Sequence, residues 1–249
     1  MSSLMDREAE GPPEERFNPL TNRRYFLKMS GTAVALFAIA CDDDDPGPIE
    51  PPVTEPPLVD LGTGDIGVLN YAYALEQLEA AFYDHVINNM YSGADATEVQ
   101  ILTDIRHHEV SHREFLKRAL GSAAIGAATV DFSAVDFTSR DSVLTTARTF
   151  EDLGVSAYNG AGHLLENVDF LVVAGAIVSV EARHASVIRD LLAPGTAAFA
   201  GDDVVFPDTG LDVIRIPTDV LTAADPFIVN QIDASGLPAP TIMTEVPTA

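Results

Sequence analysis

The chain has 249 residues, 47% of them hydrophobic, and a formal net charge of -24 at pH 7. So acidic a surface excludes nucleic acid as a partner, because phosphate backbones are bound through cations, and it keeps the protein soluble and away from like-charged surfaces. The single cysteine, Cys41, excludes an internal disulfide and any cysteine-built metal cluster.

In chain order, residues 22–28 read NRRYFLK, and the apolar run MSGTAVALFAIA and then Cys41 follow. A basic region, a short apolar core and small residues before a cleavage point make a signal peptide. The run is too short to span a bilayer comfortably. The pattern resembles a twin-arginine (Tat) export signal, which implies removal of residues 1–40 and a periplasmic or cell-surface protein. Ala38-Ile39-Ala40 before Cys41 resembles a lipoprotein cleavage box, with Ala38 where a larger residue is usual, and would equally serve an ordinary signal peptidase. A lipid on Cys41 is expected and would anchor the protein to a membrane. Residues 41–62 are acidic and rich in proline, a composition that builds no core, and are read as an extended tether.

Residues 63–194 carry four stretches of helical periodicity. The first, 65–91, has Ile66, Leu69, Tyr73, Ala80, Tyr83 and Ile87 on one stripe, interrupted by Glu76. The second, 96–120, starts near Thr97 and stops at Gly121; Glu109 and His112 interrupt its stripe. Residues 121–140 lack helical pattern and are long enough, at roughly 3.3 Å per extended residue, to run the length of a bundle. They predict a crossover that leaves the second and third helices parallel. The third helix, 141–165, aligns Glu151 and Tyr158 with Leu144, Ala147, Gly154 and Ala157. The fourth, 168–193, is closed by Pro194, and its apolar stripe is broken by Glu181 and His184. Residues 195–249 are rich in Gly, Pro and Asp and read as an irregular extension wrapping the bundle. The fold class is therefore all-α: a four-helix bundle with a long crossover between helices 2 and 3 and an irregular C-terminal tail.

Each helix thus places a glutamate inside its apolar stripe, and two carry Glu-x-x-His: Glu76; Glu109 with His112; Glu151; Glu181 with His184. Residues three apart share a helix face. Tyr83 lies seven residues after Glu76, and Tyr158 seven after Glu151, so the chain reads as two helix pairs of one design. Buried charges require partners or metal, and no lysine or arginine interrupts any of the four stripes. Four carboxylates neutralise two divalent ions, and carboxylate with imidazole suits iron or manganese. This is the ligand pattern known for di-iron and di-manganese bundles. Glu79, three residues after Glu76, is a second or movable ligand on helix 1. Tyr83 and Tyr158 are expected to bond ligand carboxylates of other helices and are assigned to the catalytic machinery on that ground.

The stretches YALEQLEAAFY, HHEVSHREFL, FEDLGVSAYNGA and AIVSVEARHASVIR resemble the ferritin-like superfamily, most of all exported bacterial ferritin-like proteins and plant desiccation-related proteins. The resemblance covers residues 65–194. It implies a ferritin-like four-helix bundle holding two iron ions, or manganese, that oxidises ferrous iron or reduces peroxide under oxidative or desiccation stress. Oxygen or peroxide is then the co-substrate. A homodimer is compatible with this reading, whereas cage assembly is not expected of a tethered chain. With no cysteine in the folded region there is no rubredoxin-type centre.

Two other readings stand beside it. HEVSH, residues 108–112, matches a zinc-peptidase motif with His108 and His112 as ligands and Glu109 as base. The repeat VEARH has Val180 in place of the first histidine, which makes His108 incidental to the shared design. A metal-free bundle acting as a structural stress protein is the other. His85, His107 and His163 fall on no glutamate stripe and are expected to be solvent-facing.

Overall fold

The computed structural model describes residues 56–239. The expected signal peptide, Cys41 and most of the tether lie outside the described residues. The elements are β1 (Leu58–Asp60), α1 (Gly64–Asn88), α2 (Ala96–Leu120), α3 (Arg140–Ala161), α4 (Val168–Leu192), α5 (Pro217–Ala224) and β2 (Gln231–Asp233). The fold is the expected all-α bundle, with α1–α4 as its four long helices.

Local sequence explains where the helices begin and end. Asp95 caps α2 by accepting from Thr97 and Glu98 backbone N–H groups, Ser139 caps α3 from Ser142, and Asn167 caps α4 from Asp169. Each satisfies a donor that the first helical turn leaves unpaired. Gly121 ends α2 at φ +56°, a conformation costly for residues with a Cβ. Between Asp65 and Asp84 the only charges on α1 are Glu76 and Glu79, and every residue from Gly67 to Ala80 is buried. Thus α1 is the central helix. Ile66, expected in its buried stripe, is 38% exposed, because it lies in the first turn before the helix passes under its neighbours. The periodicity carried α3 to residue 165, but the chain tightens into a 3-10 turn at Gly162–Leu164.

The crossover is held by side chains of α1. Asn70 donates to the Ala123 carbonyl and accepts from the Ile125 N–H. Gln77 does the same with Gly126 and Ala128. Phe132 and Phe137 then pack on Phe82. The segment therefore follows α1 from its first third to its C-terminal end. It delivers the start of α3 to the start of α2, where Arg140 binds Glu98 with Nη2 2.6 Å from Oε2. Helices α2 and α3 are accordingly parallel, as the length of the loop implied.

The tail is docked by backbone and by one buried cation. Arg189 of α4 forms ion pairs with Asp152 of α3 and Asp203 of the tail, at 2.7 and 2.8 Å, and donates to the Ala198 carbonyl. The Arg215 N–H donates to the Ser156 carbonyl of α3. Farther on, β2 pairs in parallel with β1, Leu58 opposite Gln231 and Asp60 opposite Asp233. The sequence places residues 58–60 at the end of the tether. They are tied into the domain instead, because Leu61 beside them is fully buried in the core. The first half of α4 is less covered: Val168 and Leu171 are exposed, and Val172 is 66% exposed.

Gly160 lets the tail lie against α3, since a Cβ there would stand 1.7 Å from the Arg215 carbonyl oxygen. In an open helix Gly→Ala gains about 1 kcal/mol. Here Gly160→Ala is expected to destabilise the domain by about 1–3 kcal/mol through overpacking, and to speed proteolysis within residues 201–216. Denaturant melts and limited digestion check this; a variant more stable than the parent would contradict it.

Candidate metal centre

The stripe residues converge in the middle of the bundle. Glu76, Glu109, Glu151 and Glu181 are completely buried, one from each long helix, and His112 and His184 lie beside them. Two sets form, each with donor atoms within 4.8 Å of one another: Glu76, Glu109, His112 and Glu181; and Glu109, Glu151, Glu181 and His184. Glu109 and Glu181 belong to both.

The distances follow a pseudo-twofold pattern that mirrors the sequence repeat. His112 Nδ1 lies 2.8 Å from Glu181 Oε1, 3.5 Å from Glu76 Oε2 and 3.7 Å from Glu109 Oε2. His184 Nδ1 lies 2.8 Å from Glu109 Oε1, 3.4 Å from Glu151 Oε2 and 3.6 Å from Glu181 Oε2. The tyrosines obey the same exchange. Tyr83 donates to Glu151 Oε1 and Tyr158 to Glu76 Oε1, both at 2.5 Å. Glu76 and Glu151 therefore each accept from a tyrosine through one oxygen and turn the other inward.

What remains is a set of buried atoms without hydrogen-bond partners: Glu76 Oε2, Glu151 Oε2, both oxygens of Glu109 and of Glu181, and Nδ1 of His112 and His184. The close approaches of imidazole to carboxylate offset charge as ion pairs but leave these atoms without an aligned hydrogen bond. Leaving buried polar atoms unpaired is costly. They divide into two complete sets of three oxygens and one nitrogen, the donors that hard divalent ions such as iron and manganese accept. The residues present thus fit a metal pair, with Glu109 and Glu181 offering an oxygen to each position.

Without metal, the site's protonation is displaced. Burial raises Glu76, and raises Glu79 and Glu109 well above the ordinary carboxylate range. Burial also pushes Glu151 up to about 7, against the opposing charge of His184. Burial opposes charge on His112 and His184, yet the facing glutamates prevail and lift both to about 12. Glu181, between the two imidazoles, is held at about 2 although burial alone would raise it. Tyr83 and Tyr158 are pushed well up, first by burial and then by Glu151 and Glu76, so they remain hydrogen-bond donors.

Glu79 is buried but belongs to neither donor set; its Oε1 would lie 3.0 Å from a Cβ on Gly154. Gly154 stands in α3 where Glu79 stands in α1, three residues beyond the site glutamate, so the larger residue of one half fills the space left by the other. His85, His107 and His163 are exposed, as expected. His108, read as incidental, is not: its Nδ1 lies 2.9 Å from His184 Nε2. It binds the outer edge of a site histidine on another helix, a tertiary contact that spacing within α2 does not reveal. For the same reason His108 and His112 do not converge as a zinc pair, and Glu109 points into the carboxylate cluster. An open groove of about 400 Å³ between α2 and α4, lined by Phe115, Val173, Ala176, Ile177 and Val180, has His112 at its wall.

A bundle with one cluster glutamate per long helix and two Glu-x-x-His turns around a buried centre defines a helical protein with a candidate carboxylate–histidine metal site. The family model of the ferritin-like domain matches residues 64–194, and the chain belongs to that family. No curated protein matches the chain significantly.

Metal ligation requires deprotonated imidazoles and carboxylates, which fixes a pH dependence. Glu151 stabilises the metal-free fold fully below its ordinary value of 4.5, and that contribution is lost as pH rises through about 7. The histidine contributions are complete below about 6.5 and are lost toward about 12. Metal-free protein should therefore lose stability from pH 5 to 8. Metal, which competes with fewer protons as pH rises, should stabilise increasingly over the same range. The gap in Tm between metal-loaded and chelator-stripped protein is expected to widen from pH 5.5 to 8. A constant or narrowing gap would contradict the ligand assignment.

Proposed function

We propose that this is an exported ferritin-like protein that holds two iron ions, or manganese, and uses them to oxidise ferrous iron or to remove peroxide under oxidative or desiccation stress. The observation that carries the reading is the division of the unpartnered buried carboxylate and imidazole atoms into two four-donor sets. Four carboxylates balance two divalent charges, so the cluster is neutral when filled and strongly frustrated when empty.

When bound, the metal pair supplies one-electron redox chemistry toward oxygen species. The chain supplies the rest. Glu109 and Glu181 present both oxygens to the centre, and Glu76 and Glu151 one each. Tyr83 and Tyr158 donate to the remaining oxygens, Oε1 of Glu151 and of Glu76, and so fix the orientation of both carboxylates. The open, mostly apolar groove beside His112 would give small uncharged oxidants an approach to that side of the site, while the helices keep bulk water from the carboxylates. Export through the twin-arginine route, which carries folded proteins, would let the metal be loaded before secretion. A lipid on Cys41 and the acidic segment after it would hold the domain near a membrane. The sequence NRRYFLK and the placement of Cys41 support this part.

The test is metal content together with turnover. Purified protein is expected to carry about two iron or manganese ions per chain, to oxidise ferrous iron and to consume peroxide. Glu181→Ala with His184→Ala should drop metal below about one ion and slow both reactions at least about a hundredfold. A protein with no metal under any loading condition would favour a structural role, and one zinc surviving the double substitution would favour the peptidase. For export, mass spectrometry of the mature protein should find its first residue to be Cys41 carrying a lipid; a free thiol there would remove the anchor.

A further inference from the structure

We infer that the two metal positions are built unequal, and that His108 makes the His184 position the tighter one, filled first. The inference rests on the metal-centre reading above and concerns residues outside the donor sets.

His184 turns Nδ1 toward the carboxylates and Nε2 toward His108. The two rings lie within 5° of coplanarity, with centroids 5.1 Å apart and Nε2···Nδ1 at 2.9 Å. At that separation the planes are edge to edge rather than overlapping, and the lone pair of one nitrogen lies along the N–H of the other. A neutral histidine that donates its Nδ1 lone pair to a metal carries its proton on Nε2. In this geometry that proton goes to His108 Nδ1, which holds the ring angle of His184 and sets the tautomer that remains when an ion takes the Nδ1 lone pair. Outer partners of this kind are worth about 10–100-fold in metal affinity.

The other half of the site lacks the device. The pseudo-twofold exchange that maps Glu181 onto Glu109 and His184 onto His112 maps Val180 onto His108. Val180 is apolar and lines the groove beside His112, together with Phe115 and Ile177. The imidazole of His112 is 12% exposed, against 5% for His184. So, among the described residues, no side chain hydrogen-bonds the outer edge of His112, and its position is open to exchange through the groove. The site thus pairs a held ion at Glu151 and His184 with a labile one at Glu76 and His112.

The experiment titrates the chelator-stripped full chain with Co²⁺ and follows ligand-field absorption and heat. Wild type is expected to bind two ions in two resolved steps. His108→Leu should weaken the tighter step by about 10–100-fold and leave the weaker one within about threefold. His108→Asn, whose side-chain carbonyl can accept in place of Nδ1, should recover most of the loss, while Val180→His should strengthen the weaker step. Single-position backgrounds assign the steps. With Glu76→Ala the effect of His108→Leu should persist; with Glu151→Ala it should vanish. Equal steps in wild type, a loss shared by both steps, or an effect that survives Glu151→Ala would overturn the inference while leaving the metal centre standing. Failure of any ion to bind would overturn both. Metal-free variants with the parental circular dichroism and Tm exclude misfolding as the cause.

Discussion

The structure depends on the burial of four carboxylates in one place. Glu76, Glu109, Glu151 and Glu181 are each wholly shielded from water and face a common point. An ionised carboxylate away from solvent is costly unless it is paired, and like charges brought together add to that cost. Two imidazoles and two phenols relieve part of it. The surrounding helices cannot relax to expose the group, because α1 is enclosed by α2, α3 and the crossover. The bundle therefore stores an electrostatic demand that a pair of divalent cations would meet, and the rest of the fold serves to keep that demand dry and fixed.

The symmetry of the site, and its breaks, follow from one repeated helix pair. Glutamate and tyrosine on α1 bind tyrosine and glutamate on α3, and each Glu-x-x-His turn closes on the carboxylate of the other. Two positions break the exchange. Glu79 faces Gly154, so an acid fits in one half because the other half has no side chain there. His108 faces His184, while Val180 leaves His112 to the groove. A symmetric pair of donor sets is thereby given different surroundings, which is what a centre needs if its two ions are to behave differently.

Much of this was legible in the chain itself. Burial of an acid inside an apolar stripe is a local signal, because helical spacing alone decides which residues share a face. Glu76, Glu109, Glu151, Glu181, His112 and His184 could be named on that ground, and the Glu76–Tyr83 and Glu151–Tyr158 offsets pointed to the paired tyrosines. The length of residues 121–140 implied the crossover, but not its anchors, since Asn70 and Gln77 look like ordinary polar residues until the loop is seen crossing them. Other features arise between distant segments and have no periodicity to betray them. Leu58–Asp60 pairs with Gln231–Asp233, Arg189 gathers Asp152 and Asp203, and His108 reaches α4. Helical spacing made Glu79 a second ligand candidate, and only the packed bundle shows that its carboxylate lies against Gly154 instead.

The central claim is that the unpartnered donors would hold two metal ions, with Glu109 and Glu181 offering an oxygen to each. Anomalous diffraction from crystals of the loaded protein, collected on both sides of the iron and manganese absorption edges, tests it most directly. The account predicts two peaks about 3.5–4 Å apart, one beside His112 and Glu76 and the other beside His184 and Glu151. A single peak, a peak held by His108 and His112, or a cluster that stays without anomalous signal after loading would contradict it.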